Sequence, residues 1–158
     1  TYGRSVVNRV QPINFDAFWH NWIQEKREEL TAQGIRLIVK VDTEQGYILG
    51  ESRVLSLVFN AVIANAIEAL SQTDDPLIEI FSLVSDDLRI VFRDNGCGIE
   101  KDNLDKVFIP FYSKGSDKSG LGLPLARKLL VAMGGGIAID SQPGDGTSVC
   151  IQLKKGVS

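Results

Sequence analysis

The chain has 158 residues, within the usual span of about 100–200 for one domain, so a single ordinary core is expected. Its 44% hydrophobic and 23% charged residues match globular usage and exclude a disordered, collagenous or coiled-coil chain. With 17 Lys and Arg against 20 Asp and Glu, the net charge is −3, which points away from nucleic acid and anionic membrane as partners.

The two cysteines, Cys97 and Cys150, are too few for a disulfide framework and fit a reducing, cytoplasmic compartment. No apolar run approaches the roughly 20 residues of a membrane span, so no direct membrane contact is expected. Arg4 and Arg9 among polar neighbours give the first residues no signal-peptide pattern. A lone His20 argues against a histidine metal cluster and against a Ser-His-Asp triad.

Residues 1–12 show no period and read as a linker or the end of a preceding helix, with the domain at 13–158. From 14 to 33, Phe15, Phe18, Trp19, Trp22, Ile23 and Leu30 recur at helical spacing. Asn14 or Asp16 can cap that helix, and Gly34 ends it. Residues 35–41 and 47–49 read as strands, and 51–71 as a long apolar helix. The polar run 71–76 breaks that helix, and 77–84 with 88–92 form a hairpin. Residues 94–119 are mostly loop, with one short helix at 101–107; so long an irregular stretch in a compact domain is usually functional. A helix over 121–133 stops at Gly134, and a strand pair, 137–140 and 148–153, closes the chain. Paired strands without βαβ alternation predict an α+β fold, a two-layer sandwich with helices on one face of a mixed sheet.

Three places carry candidate chemistry. On the long helix, Val54, Leu55, Val58, Ala61 and Val62 make a core stripe, and Asn65 falls on it. A buried amide left unpaired costs about 1–3 kcal/mol, so Asn65 is either a core residue bonded to backbone or an oxygen ligand for a hard cation. Asn60, about 140° around the helix, reads as surface. The second place is Asp94-Asn-Gly-Cys-Gly98-Ile99 after a strand. It is either a turn, because Asn-Gly favours one, or a ligand site in which Asp94 accepts from a base amine and Gly96 and Gly98 allow close approach. The third, residues 115–122, opens a helix with Gly115, Gly120 and Gly122, and is either a flexible helix start or a phosphate site. It is no P-loop, because Leu121 stands where the lysine belongs, and Gly96-Cys-Gly98 lacks the third glycine of a dinucleotide fingerprint.

The order Asn65-Ala66, Asp94-x-Gly96-x-Gly98, Phe108-x-x-Phe111, Gly120-Leu121-Gly122-Leu123 and Gly146-Thr147 resembles the catalytic ATP-binding domain of sensor histidine kinases. These belong to the superfamily that also holds gyrase, heat-shock chaperone and mismatch-repair ATPases. The resemblance covers residues 13–153 and implies a sandwich with an ATP lid over 99–119. It implies that Asn65 binds Mg²⁺, that Asp94 meets the adenine amine, and that Gly98 borders the base. It places Gly120, Leu121 and Gly122 at the phosphates, Lys114 at the γ-phosphate and the Thr147 hydroxyl behind the adenine contact. Glu68, Ala69, Gly96, Ile99, Phe108, Phe111, Ser119 and Leu123 complete the implied ATP site, with Asn65 and Lys114 catalytic.

Two departures stand out. Ala61 occupies the position where these kinases often carry an earlier Asn and where the related ATPases need a Glu to activate water. Glu68 and Ala69 stand where Lys or Arg, then Tyr, are common; the run Asn65-Ala-Ile-Glu-Ala69 is closer to nitrogen-regulation and dicarboxylate sensors. No phosphoacceptor box is present, and His20-Asn-Trp is not one. The implied partners are a histidine-bearing dimerisation domain of the same protein and a response regulator receiver, with this domain itself a monomer. A nucleotide-binding regulatory module, or an ATPase of the superfamily, is the alternative.

Overall fold

A computed structural model describes residues 9–83, 85–109 and 122–156. The elements run β1 (Gln11–Asn14), α1 (Phe15–Ala32), β2 (Arg36–Lys40), β3 (Tyr47–Gly50), α2 (Ser52–Ala69), β4 (Leu77–Leu83), β5 (Leu88–Asp94), α3 (Lys101–Leu104), α4 (Leu123–Ala132), β6 (Gly136–Gln142), β7 (Gly146–Leu153) and β8 (Lys155–Gly156). Five strands form a mixed sheet in the order β2-β4-β5-β7-β6, parallel only between β2 and β4. A parallel pair needs a long crossover, and here the crossover contains α2. That connection lays α2 against β5 and β7, beside α4.

The expected α+β sandwich is therefore present, with one addition. A second, three-stranded sheet, β1-β3-β8, lies apart from the main one. Its outer strands are short, and β1 carries Pro12, which an edge strand tolerates because one of its sides needs no donor. β1 begins at Gln11, two residues ahead of the expected boundary at 13.

Local chemistry explains the helix ends. Asn14 caps α1 by accepting from the Ala17 N–H at 3.1 Å. Gly34, at φ +75°, closes it: the Gly34 N–H bonds to the Thr31 carbonyl and the Ile35 N–H to that of Leu30. Gly134, at φ +84°, ends α4 in the same way. The core joins Phe15, Trp19 and Trp22 of α1 to Phe59 of α2 and Phe92 of β5 through edge and stacked ring contacts.

The long helix needs two corrections. At 18 residues and mean hydropathy 1.3, α2 is apolar enough by length and composition to span a membrane, which the sequence reading overlooked. Here it is a core helix, with Val54, Leu55, Val58 and Phe59 fully enclosed. Asn60 is not merely surface either: its Oδ1 accepts from the buried Trp22 indole N–H at 3.0 Å, tying α1 to α2.

Candidate functional site

The C-terminal half of α2, the ends of β5 and β7, and the start of α4 enclose a cleft of about 440 Å³. Val62, Ala66, Ile99, Val107, Leu123 and Val149 give it apolar walls. Its polar groups are few: Asn65, Glu68, Asp94 and Thr147 are among them. Such a mix of apolar walls and sparse fixed polar groups suits a small flat ligand with charged appendages.

Asp94 is the last residue of β5 rather than the first of a loop, and it is 6% exposed. Its carboxylate accepts from the Gly96 N–H at 2.9 Å. Burial pushes its pKa above the usual carboxylate value, opposed by the backbone N–H groups of Gly96 and Thr147. A buried acceptor facing a cleft calls for a donor on whatever fills it.

The glycines around Asp94 do something other than expected. A Cβ on Gly96 would sit 2.5 Å from the Ala69 carbonyl oxygen, and one on Gly98, at φ +76°, would strike the Gln142 carbonyl. A Cβ on Gly146, at φ +81°, would strike the carbonyl of Asp94 itself. Backbone approaching backbone, not ligand approaching backbone, is what these three positions demand. The Gly144 N–H donates to the Cys97 carbonyl at 2.8 Å and further clasps the 95–98 loop to the β6–β7 turn. Asn95 does not open a hairpin: its side chain accepts from the Leu77 N–H and donates to the Asp75 carbonyl, pinning β5 to the start of β4.

Asn65 is exposed and borders the cleft, so the expectation of a buried, paired core amide is not met. The stripe that predicted burial is real, since Ala61 and Val62 are each 1% exposed, but it ends where the cleft opens. Glu68 lies one turn on, also exposed and beside the cleft. Ala69 contributes its carbonyl, which accepts from the Cys97 N–H at 3.3 Å. Gly98, Ile99 and Leu123 line the cleft. Gly122 caps α4 and borders the cleft as well, with Pro124 in the first turn. Phe108 is half-buried and carries the Arg127 guanidinium over its ring at 5.2 Å. Phe111, Lys114, Ser119, Gly120 and Leu121 lie outside the described residues.

Sequence reasoning missed Ser141. Its hydroxyl is within 2.8 Å of the Ile99 nitrogen, the Gly146 carbonyl and the Thr147 hydroxyl. Nothing in the polar run 140–142 separates it from surface serines. Only the pairing of β6 with β7, which sets Ser141 opposite Thr147, reveals it.

Residues 50–157 match the family described as histidine kinase-, DNA gyrase B- and HSP90-like ATPases. The chain belongs to this family, which supports nucleotide binding by the domain. The signal transduction histidine-protein kinase AtoS of Escherichia coli (strain K12) is 29% identical over 119 residues, 75% of this chain and 20% of that protein. The C4-dicarboxylate transport sensor protein DctB of Rhizobium meliloti (strain 1021) is 32% identical over 122 residues, 77% of this chain and 19% of that protein. The chain thus spans about one fifth of these curated relatives. Among solved structures, the catalytic domain of histidine kinase ThkA has the same fold, with TM-score 0.79 at 21% identity over 94% of this chain and 97% of that one. ThkA in complex with the response regulator protein TrrA matches with TM-score 0.74 at 21% identity, over 93% of this chain and 42% of that one.

Proposed function

We propose that this chain binds Mg²⁺-ATP and donates its γ-phosphoryl group to a histidine on a dimerisation domain of the same protein, for relay to a response regulator receiver. The observation that carries the reading is the buried Asp94 carboxylate at the floor of an apolar cleft in a chain of this family. Asp94 accepts from the adenine amine, while Val62, Ile99 and Val149 exclude water from the faces of the base. Asn65, whose side chain is bonded to no described residue, is free to offer its oxygen to a cation. Mg²⁺ takes only one or two protein ligands beside phosphate and water, so Asn65 with Glu68 a turn away fits it. The bound cation supplies charge neutralisation on the phosphates. Phosphoryl transfer asks little more of a protein than position and charge, and Lys114 is the cation we assign to the γ-phosphate.

Hydrolysis lacks the carboxylate that the related ATPases use at the position of Ala61. Ala61, one turn before Asn65, is a core methyl with no carboxylate to activate water. His20 is exposed on α1, beside Asp16 at 2.8 Å, and is not among the residues that line the cleft. The free Cys97 and Cys150 suit a cytoplasmic setting. Radiolabelled ATP tests the reading. Label should pass from this chain to a histidine-bearing helical domain added in trans, and Asn65→Ala should abolish the transfer. Brisk phosphate release with no labelling would replace the kinase reading by an ATPase one.

A further inference from the structure

Thr147 borders the cleft 7% exposed, next to Asp94, and its hydroxyl can either donate to a ligand or accept from one. Which it does is decided by a residue outside the cleft. Ser141 Oγ has one proton and two acceptor positions. The Ile99 N–H, at 2.8 Å, takes one acceptor position. The Gly146 carbonyl, also at 2.8 Å, has no proton to give, so it receives the serine proton. The remaining contact, 2.8 Å to Thr147 Oγ1, then closes only if threonine is the donor. All the capacity of Ser141 is used, and the Thr147 proton is turned away from the cleft.

We propose that Ser141 is a positioning residue that fixes the Thr147 hydroxyl as an acceptor, so that Asp94 and Thr147 together favour an amino group over a carbonyl oxygen on the base. The proposal rests on the reading of this cleft as an adenine site and adds what sets its preference for a 6-amino over a 6-oxo purine. Without Ser141 the threonine proton can swing inward and serve a 6-oxo group. Ser141 also holds the Ile99 N–H, so one hydroxyl ties the floor of the base site to the end of the loop leading into α3.

Binding of ATP and of inosine triphosphate to the whole chain, measured by calorimetry, tests this. Ser141→Ala should lower the ATP-to-ITP affinity ratio about fivefold, the worth of one hydrogen bond. Ser141→Thr, which keeps the hydroxyl, should hold the ratio near wild type. In a Thr147→Val background the Ser141→Ala effect on the ratio should vanish, which a merely structural role for Ser141 would not produce. Should the alanine variant not fold, Ser141→Cys carries the same prediction at smaller size, because a thiol is a weak acceptor. An unchanged ratio in a folded Ser141 variant overturns the proposal while leaving the adenine site intact. A wild-type chain that binds neither nucleotide overturns the adenine reading itself, and this proposal with it.

Discussion

The two ends of the cleft are built on opposite principles. At and behind the floor, Asp94 and Thr147 of the cleft and Ser141 outside it come from three strands, and their side chains are bonded to backbone or to each other. At the opposite side, Asn65 and Glu68 stand exposed on one helix face, bonded to no described residue. A preorganised floor suits a rigid ligand that binds without reorganisation, whereas exposed side chains suit a hydrated group that brings ligands of its own, such as the cation proposed above. The floor is thus bound up with the stability of the fold, and the helix face is not.

Four substitutions probe that division. The largest effect is expected at Gly98→Ala, which puts a side chain at φ +76° and against the Gln142 carbonyl. Chemical denaturation should show a loss of roughly 3 kcal/mol, from strain and overlap together. Gly144→Ala is its control: the φ is +82°, but nothing lies within 4 Å, so only about 1–2 kcal/mol should be lost. Equal losses at the two glycines would mean that the approach of the Gln142 carbonyl to Gly98 adds nothing to the backbone strain.

Asp94→Asn should separate binding from stability. Burial raises the pKa of Asp94 above 3.8, so its charged form is disfavoured by folding. The stability linked to its proton is complete at pH below that value and is lost as pH rises through the higher folded pKa. At neutral pH the neutral amide should therefore leave the melting temperature unchanged or raise it, since its carbonyl can still accept from Gly96. Nucleotide binding should nonetheless weaken by about 1.5–3 kcal/mol, the range for a hydrogen bond to a charged group. Wild-type affinity should also fall on acidification, beginning at a higher pH than for an ordinary aspartate, and Asp94→Asn should flatten that profile. A variant that binds ATP as tightly as wild type would remove Asp94 from the base contact.

Asn65→Ala should change stability least, by under about 0.5 kcal/mol, because the side chain is exposed and makes no bond to lose. What should disappear is the part of ATP affinity that depends on Mg²⁺, read by titration with and without chelator. A large stability loss at Asn65 would show that the two ends are not energetically distinct.

Much of this was legible in the sequence for a physical reason: helices and strands announce themselves by period. The stripe Val54, Leu55, Val58, Ala61 and Val62 has one helical reading, and Asn14 and Gly34 mark where α1 starts and stops. The run Asp94-x-Gly96-x-Gly98 could be read only as a turn or a ligand site, because spacing does not say whether a glycine makes room for a ligand or for a neighbouring backbone. The burial of Asn65 was read wrongly because periodicity says which face a residue occupies, not what covers that face. The second sheet left no mark, since β1 and β8 are four and two residues long and owe their existence to β3 lying between them. Ser141 is the sharpest case. The sequence shows a serine in a polar run, and only strand pairing across residues 141 and 147 makes it a neighbour of Thr147 and the cleft. Chemistry carried by one segment is determined by local order; chemistry shared between segments exists only once the sheet has brought them within a hydrogen bond of each other.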